Sequence, residues 1–258
     1  MVYITAPMLP VFGNAFVPAF GNGGKFSPVD VPSLAAWYDP SDLTTLFQDA
    51  AGMVPADTDG DTIRLMLDKS GNGNDAAYGT TLPPVLRISG GKVWLEISDS
   101  GGFIVPSNTF GTLAYSVFVG FGKTVNVANQ TSSFPHFWRT GTDSQSFFMR
   151  SGNDRLDLKA VRDGGTDVRP IVYGFNALHS IGDRNVINAE AGLTSSAIIL
   201  DGSIASTEDN TGTAMTGLTG TSELMSNILG DFFGAVLLDD LAGPSNRFKI
   251  NAYLAGKF

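Results

Sequence analysis

Cysteine is absent from the 258 residues. That absence excludes disulfide frameworks, thiolate zinc sites and cysteine nucleophiles, and it leaves the redox compartment open. Glutamate is scarce: among 25 acidic residues only Glu96, Glu190, Glu208 and Glu223 are Glu. The others are Asp, a residue of turns and caps, so most of the acidity reads as loop chemistry. The 16 cations leave a net charge of −9, with no basic stretch to displace counterions from a nucleic-acid backbone. Nucleic acid is therefore not an expected partner. No apolar run reaches the roughly 18–20 residues that span a bilayer. The first thirty residues hold one cation, Lys25, and several prolines, a pattern unlike a secretory signal. Neither membrane insertion nor signal-directed export is expected.

Glycine and proline are plentiful, at 31 and 13 residues. Together with many Thr, Ser, Asn and Val they suit short strands joined by turns, in one large β domain with a full core. Val93–Ser98 and Phe103–Val105 read as strands around a Ser-Gly-Gly turn, and Leu113–Phe121 as a longer apolar strand. Phe134–Arg139, Ser146–Arg150, Arg155–Arg162, Pro170–Leu178 and Val186–Ala191 continue the series. Alternation is clearest in Leu156, Leu158 and Ala160 against Asp157 and Lys159. The strongest hairpin signal is Asp201-Gly202 between Ala197–Leu200 and Ser203–Ala205, because a type I′ turn needs positive φ at both central positions. Met225–Leu229 and Phe232–Asp239 supply two further strands. One helix is expected at the C-terminus. Gly243-Pro244-Ser245 supplies a breaker and an N-cap, and Ile250, Tyr253 and Leu254 fall on one face.

Residues 1–30 differ from the rest. Pro7, Pro10, Pro18 and Pro28 argue against helix and central strand, yet Val11, Phe12, Phe16, Phe20 and Phe26 are too apolar for a free tail. The expectation is an extended docking arm (1–30), with those five residues contacting a neighbouring copy or another protein, ahead of a domain spanning 31–258. Burial of each side chain is worth roughly 1.5–3 kcal/mol, against about 1–2 kcal/mol per residue for ordering the backbone. Such an arm becomes ordered where a partner supplies the other wall.

Two segments some thirty residues apart stand out: Trp37-Tyr38-Asp39-Pro40-Ser41-Asp42-Leu43 and Leu67-Asp68-Lys69-Ser70-Gly71-Asn72-Gly73-Asn74. With the Asp-Gly hairpin and the ending Tyr253-Leu254-Ala255-Gly256-Lys257-Phe258, they resemble concanavalin A-like (laminin G-like) jelly-roll domains found in structural proteins of tailed bacteriophages. The resemblance spans 34–258. It implies an all-β, two-sheet antiparallel jelly-roll sandwich with an N-terminal arm and a short C-terminal helix. It also implies a virion protein, made in the host cytoplasm and displayed as a head decoration, head fibre or tail appendage. Its partners would be other virion proteins or copies of itself, as a homo-oligomer, and a host-surface glycan. The alternative is a stand-alone carbohydrate-binding module, and after that a polysaccharide-active enzyme.

Chemistry-bearing motifs are few. Asp57, Asp59, Asp61 and Asp68 form an alternating carboxylate set that could converge on calcium. Against that, Thr62 stands where a calcium loop of the EF-hand type has Gly, and Asp68 where it has a bidentate Glu. An acidic turn without a cofactor is the plainer expectation. Residues 68–74 lack the features of a dinucleotide or P-loop fingerprint and read as a tight connection. His136 and His179 border strands, with no nucleophile motif nearby. Laminarinase-type sandwiches carry E-x-D-x-E on one strand; Glu96-Ile97-Ser98-Asp99 departs from that pattern, so no catalytic residues are assigned. The aromatics Trp37, Trp94, Trp138, Tyr38, Tyr78, Tyr115 and Tyr173 offer stacking faces for sugars, or core. Phe147-Phe148 and Phe232-Phe233 each place one ring on either side of a strand, so one of each pair needs a second layer or an interface.

Overall fold

A computed structural model describes residues 25–79, 82–98, 101–106, 114–125, 136–140, 145–150, 155–161, 167–168, 170–173, 180–209 and 222–258. Val11, Phe12, Phe16 and Phe20 of the expected arm, and His179, lie outside them. In chain order the first strands are β1 (Leu34–Tyr38), β2 (Leu46–Phe47), β3 (Leu65–Met66), β4 (Ala76–Tyr78), β5 (Val85–Ser89) and β6 (Lys92–Ile97). Next come β7 (Phe103–Val105), β8 (Tyr115–Gly122), β9 (His136–Thr140), β10 (Gln145–Arg150), β11 (Arg155–Val161) and β12 (Asp167–Val168). The last are β13 (Ile171–Tyr173), β14 (Arg184–Ala191), β15 (Ser195–Leu200), β16 (Ser203–Asp209), β17 (Ser222–Ser226) and β18 (Gly230–Leu238), followed by helix α1 (Pro244–Ala255).

They form two antiparallel sheets. One runs β16-β15-β14-β8-β18-β6-β5, with β1 also on β18; the other runs β12-β11-β10-β9-β17-β7-β4-β3-β2, with β13 also on β11. The fold is the expected two-sheet antiparallel sandwich with one short C-terminal helix. The Ser-Gly-Gly turn joins no hairpin: β6 and β7 belong to different sheets, so the chain crosses the sandwich there. Strand β5 was not expected, since Arg87 and Ser89 leave Val85-Leu86-Arg87-Ile88-Ser89 only weakly apolar. It exists because β6 supplies a full antiparallel partner, Val85↔Glu96 to Ser89↔Lys92.

The first sheet is covered on both faces. From β8, Tyr115, Val117, Val119 and Phe121 point into the sandwich, while Phe118 joins Trp37, Val236, Leu238, Ile250 and Leu254 beneath α1. That double cover explains why β8 is buried along its whole length. In β18 a register shift between Phe232 and Gly234 puts Phe232, Ala235 and Leu237 inside and Val236 and Leu238 under the helix. Phe233 therefore lies in the second layer, edge-on to Phe258 with centroids 5.1 Å apart. Phe147 is buried in the sandwich core.

Helix α1 begins differently from expectation. Gly243 is the N-cap and Pro244 the first helical residue, so Ser245 falls inside the helix. Pro at N1 forfeits a donor that has no intrahelical partner anyway. The helix is held down by Arg247, whose guanidinium makes two bonds to the buried Glu190 carboxylate, at 2.9 and 2.6 Å. Between β1 and β2 the chain makes a 3-10 turn, Leu43–Thr45, with the Asp42 side chain accepting from the Thr44 amide.

The two motif segments are structural neighbours. Asp68 accepts from the Trp37 amide (2.9 Å), the Ser70 amide (2.8 Å) and the Asn74 amide (3.0 Å). Asn72 and Asn74 side-chain amides donate to the Ala35 carbonyl at 3.1 and 2.9 Å. Strand β1 pairs only with β18, so its other edge would present bare backbone groups. Residues 68–74 satisfy that edge with side chains, which is why the loop needs Asp, Ser and Asn at close spacing.

Candidate functional site: an open cleft between the sheets

Where β13 of one sheet meets the β15–β16 hairpin of the other, the sandwich has an open cleft of about 560 Å³. The Ile171 amide donates to the Ser206 hydroxyl at 3.2 Å and ties the two sheets at its rim. Alternation along β13 buries Val172 and turns Tyr173 outward, leaving that ring 66% exposed. Behind it, Arg155 sits directly opposite in the ladder, its guanidinium 5.9 Å from the ring centroid. Arg155 is itself held by Asp157, at 2.8 Å. The ring is thus backed by an ion pair and open in front.

The facing wall is the Asp-Gly turn. Asp201 has φ 48° and Gly202 φ 82°, the two left-handed residues of a type I′ turn, as its sequence requires. The Asp201 carboxylate accepts from the Val186 amide at 2.8 Å and from the Asn185 side-chain amide at 2.7 Å. Those two donors fix its orientation while each oxygen keeps a further lone pair. Ile204, 57% exposed, adds apolar surface beside it, and Ser203 a hydroxyl. An aromatic face, a pre-oriented acceptor and a hydroxyl in an open concavity suit a ligand that is apolar on one side and hydroxylated on its rim.

A second cluster was not legible in the sequence. Across the outer face of the first sheet, Glu96, Asp231, Gly122 and Arg184 occupy one transverse row of cross-strand neighbours. Arg184 lies over both Trp94 and Phe233, 5.8 and 5.0 Å from their centroids, and Arg87 pairs with Glu96 at 2.6 Å. Burial first, and then the Glu96 carboxylate opposite, push Asp231 up to about 6. Glu96 and Asp231 are 135 positions apart in the chain, so no spacing motif reveals the pair.

Three of the four candidate aspartates, Asp59, Asp61 and Asp68, accept from backbone amides, while Asp57 accepts from the Thr58 hydroxyl at 3.1 Å. Asp61 accepts from the Asp57 and Thr58 amides at 3.0 and 2.9 Å, and Asp59 from the Ile88 amide at 2.8 Å. Asp68 caps the loop beside β1. Among the described residues no three His, Asp or Glu side chains are grouped so as to hold a metal ion. His136 is buried in β9. Of the candidate stacking aromatics, Trp37, Trp138, Tyr38, Tyr78 and Tyr115 are buried, Trp94 is half-buried under Arg184, and Tyr173 alone of these is exposed. Phe26 packs edge-on against Tyr253 of the same chain, centroids 6.3 Å apart. No helix among the described residues is long and apolar enough to cross a membrane.

No protein-family model matches the sequence, and no curated protein is significantly similar to it. Solved structures do share the fold. The receptor-binding domain of botulinum neurotoxin D is 10% identical with a TM-score of 0.59, over 90% of this chain and 54% of that one. The binding domain of botulinum neurotoxin DC in complex with SialylT is 12% identical with a TM-score of 0.57, over 88% and 52%. The same domain in complex with rat synaptotagmin II is 13% identical with a TM-score of 0.57, again over 88% and 52%. The chain spans about half the length of these neurotoxin domains, and at such identities the likeness is one of fold: a β-sandwich that recurs in receptor-binding domains.

Proposed function

We propose that the protein is a carbohydrate-binding module whose site is the cleft between β13 and the β15–β16 hairpin. The observation that carries this reading is Tyr173, an aromatic ring left 66% exposed in a concavity opposite the anchored Asp201 carboxylate. A sugar stacks its C–H face on the ring and donates neighbouring hydroxyls to the remaining lone pairs of Asp201. Occurrence of the same fold in receptor-binding domains supports a recognition role, and the sequence motifs for catalysis are missing. A glycan array probed with the full chain, followed by calorimetry on Tyr173→Ala, tests it. Binding that falls at least tenfold on losing the ring is the expected result; an array without a hit removes the reading.

The setting is a separate matter. The resemblance of the motif segments to phage lectin-like domains is what favours display on a phage-type particle through residues 1–30, beside virion proteins or copies of itself. The solved structures lend that setting no support. Imaging particles that carry a tagged copy tests it, and absence of the tag from purified particles would remove it.

A further inference from the structure

We infer that the cleft selects neutral, hydroxyl-rich glycans over glycans whose bound unit carries a carboxylate or sulfate. This rests on the reading of the cleft as a sugar site and adds to it the charge class of the ligand. Among the described residues that line the cleft, the one charged side chain is Asp201, and it is an acid. Its orientation is set from behind by the Val186 amide and the Asn185 amide, so it cannot swing away from an incoming anion without giving up both bonds. Among the described residues, Arg155 lies against Tyr173 and is already paired with the buried Asp157 at 2.8 Å, so its charge is met inside the protein. Around the cleft the protein as a whole carries −9, which repels anions before contact. A neutral sugar meets none of this opposition: its hydroxyls donate to the same carboxylate that repels an acidic one.

The variant that separates charge from fold is Asp201→Asn. Asn keeps an acceptor oxygen and is at home at positive φ, and Asn-Gly forms the same type I′ turn as Asp-Gly. Matched pairs of glycans, lactose with sialyllactose and each neutral array sugar with its sulfated form, are titrated into the full chain, the Asp201→Asn variant and the Tyr173→Ala variant. The expected result is at least tenfold tighter binding of the neutral member, lost in Tyr173→Ala. In Asp201→Asn, and in wild type at high salt, the ratio between the two members should fall several-fold. Acidic glycans binding as tightly as neutral ones, in a manner that still needs Tyr173, would overturn the charge selection and leave the sugar site standing. An unchanged ratio in Asp201→Asn would also overturn it. Absence of binding by every glycan would instead overturn the sugar site itself.

Discussion

The Tyr253 hydroxyl donates to the Asp39 carboxylate at 2.7 Å, joining residues 214 positions apart. Lys257 adds a bond at 2.8 Å to the same oxygen and another to Ser41, while the Ser41 hydroxyl takes the second Asp39 oxygen at 2.6 Å. Asp39 is only 4% exposed, and Trp37 packs edge-on to the Tyr253 ring. The opening and closing motifs of the domain are thus two halves of one lock.

Breaking that lock should be costly. Burial pushes Asp39 upward, but hydrogen bonds from Lys257, Ser41 and Tyr253 outweigh it and hold the carboxyl at about 2. A depressed pKa contributes stability that is present above the unfolded value and lost as pH falls from about 4 towards 2. Asp39→Asn should cost about 3 kcal/mol at pH 7, because it leaves Lys257 facing a neutral group at a buried site. The deficit should shrink near pH 2. Urea titrations at both pH values measure it, and an equal deficit at the two would contradict the ionic account.

Asp231 should behave in the opposite sense. Its folded pKa, about 6, lies above the ordinary carboxyl value, so the folded protein binds a proton more readily than the unfolded chain between those limits. Its contribution is most favourable at low pH and is lost as pH rises through 6. Asp231→Asn should therefore raise the melting temperature at pH 8, by about 2 °C once solvent screening of a partly exposed carboxylate is counted, and leave it unchanged at pH 4. A uniform shift at both pH values would speak against titration as the cause.

Gly234 is a point where no side chain fits. Its φ is +142°, and a Cβ there would stand 2.8 Å from the Tyr38 carbonyl oxygen, where β18 and β1 run side by side. Backbone cannot yield as a flexible side chain does, so Gly234→Ala should cost about 3 kcal/mol. The neighbouring Ala235→Gly, which creates a small void, should cost about 1 kcal/mol. Chemical denaturation of the two variants gives the comparison; equal costs would remove the steric argument.

Phe26, the one described residue of the five expected to dock on a partner, packs on its own chain. Its ring packs on Tyr253, and residues Pro28–Asp30 form a 3-10 turn closed by reciprocal bonds between Ser27 and Asp30. Deleting residues 1–24 should leave the melting temperature within about 2 °C of the full chain, whereas Phe26→Ala should cost about 1.5 kcal/mol. If the short deletion unfolds the protein, the arm is part of the core. Assembly of the deleted form, followed by light scattering, tests whether Val11, Phe12, Phe16 and Phe20 dock on a partner.

What the sequence determined by itself is local. Asp201-Gly202 specified its own turn because positive φ at two successive positions admits few residue types. Pro244 set the start of the helix because its fixed φ suits the first helical position, and alternation placed Leu156 and Leu158 in the core. The two-sheet class followed from many short strands of that kind. Which faces are covered was decided only in three dimensions. Strand β8 is buried on both sides because α1 lies over one of them, and a period-2 pattern carries little information where neither face meets water. For the same reason the sequence could name Trp37, Trp138 and Tyr173 together as possible stacking rings but could not separate them: the first two are closed over by residues far along the chain, and Tyr173 is left open. The Glu96–Asp231 pair and the cleft itself arise from strands of distant origin meeting side by side, and contacts at that range are set by packing rather than by spacing.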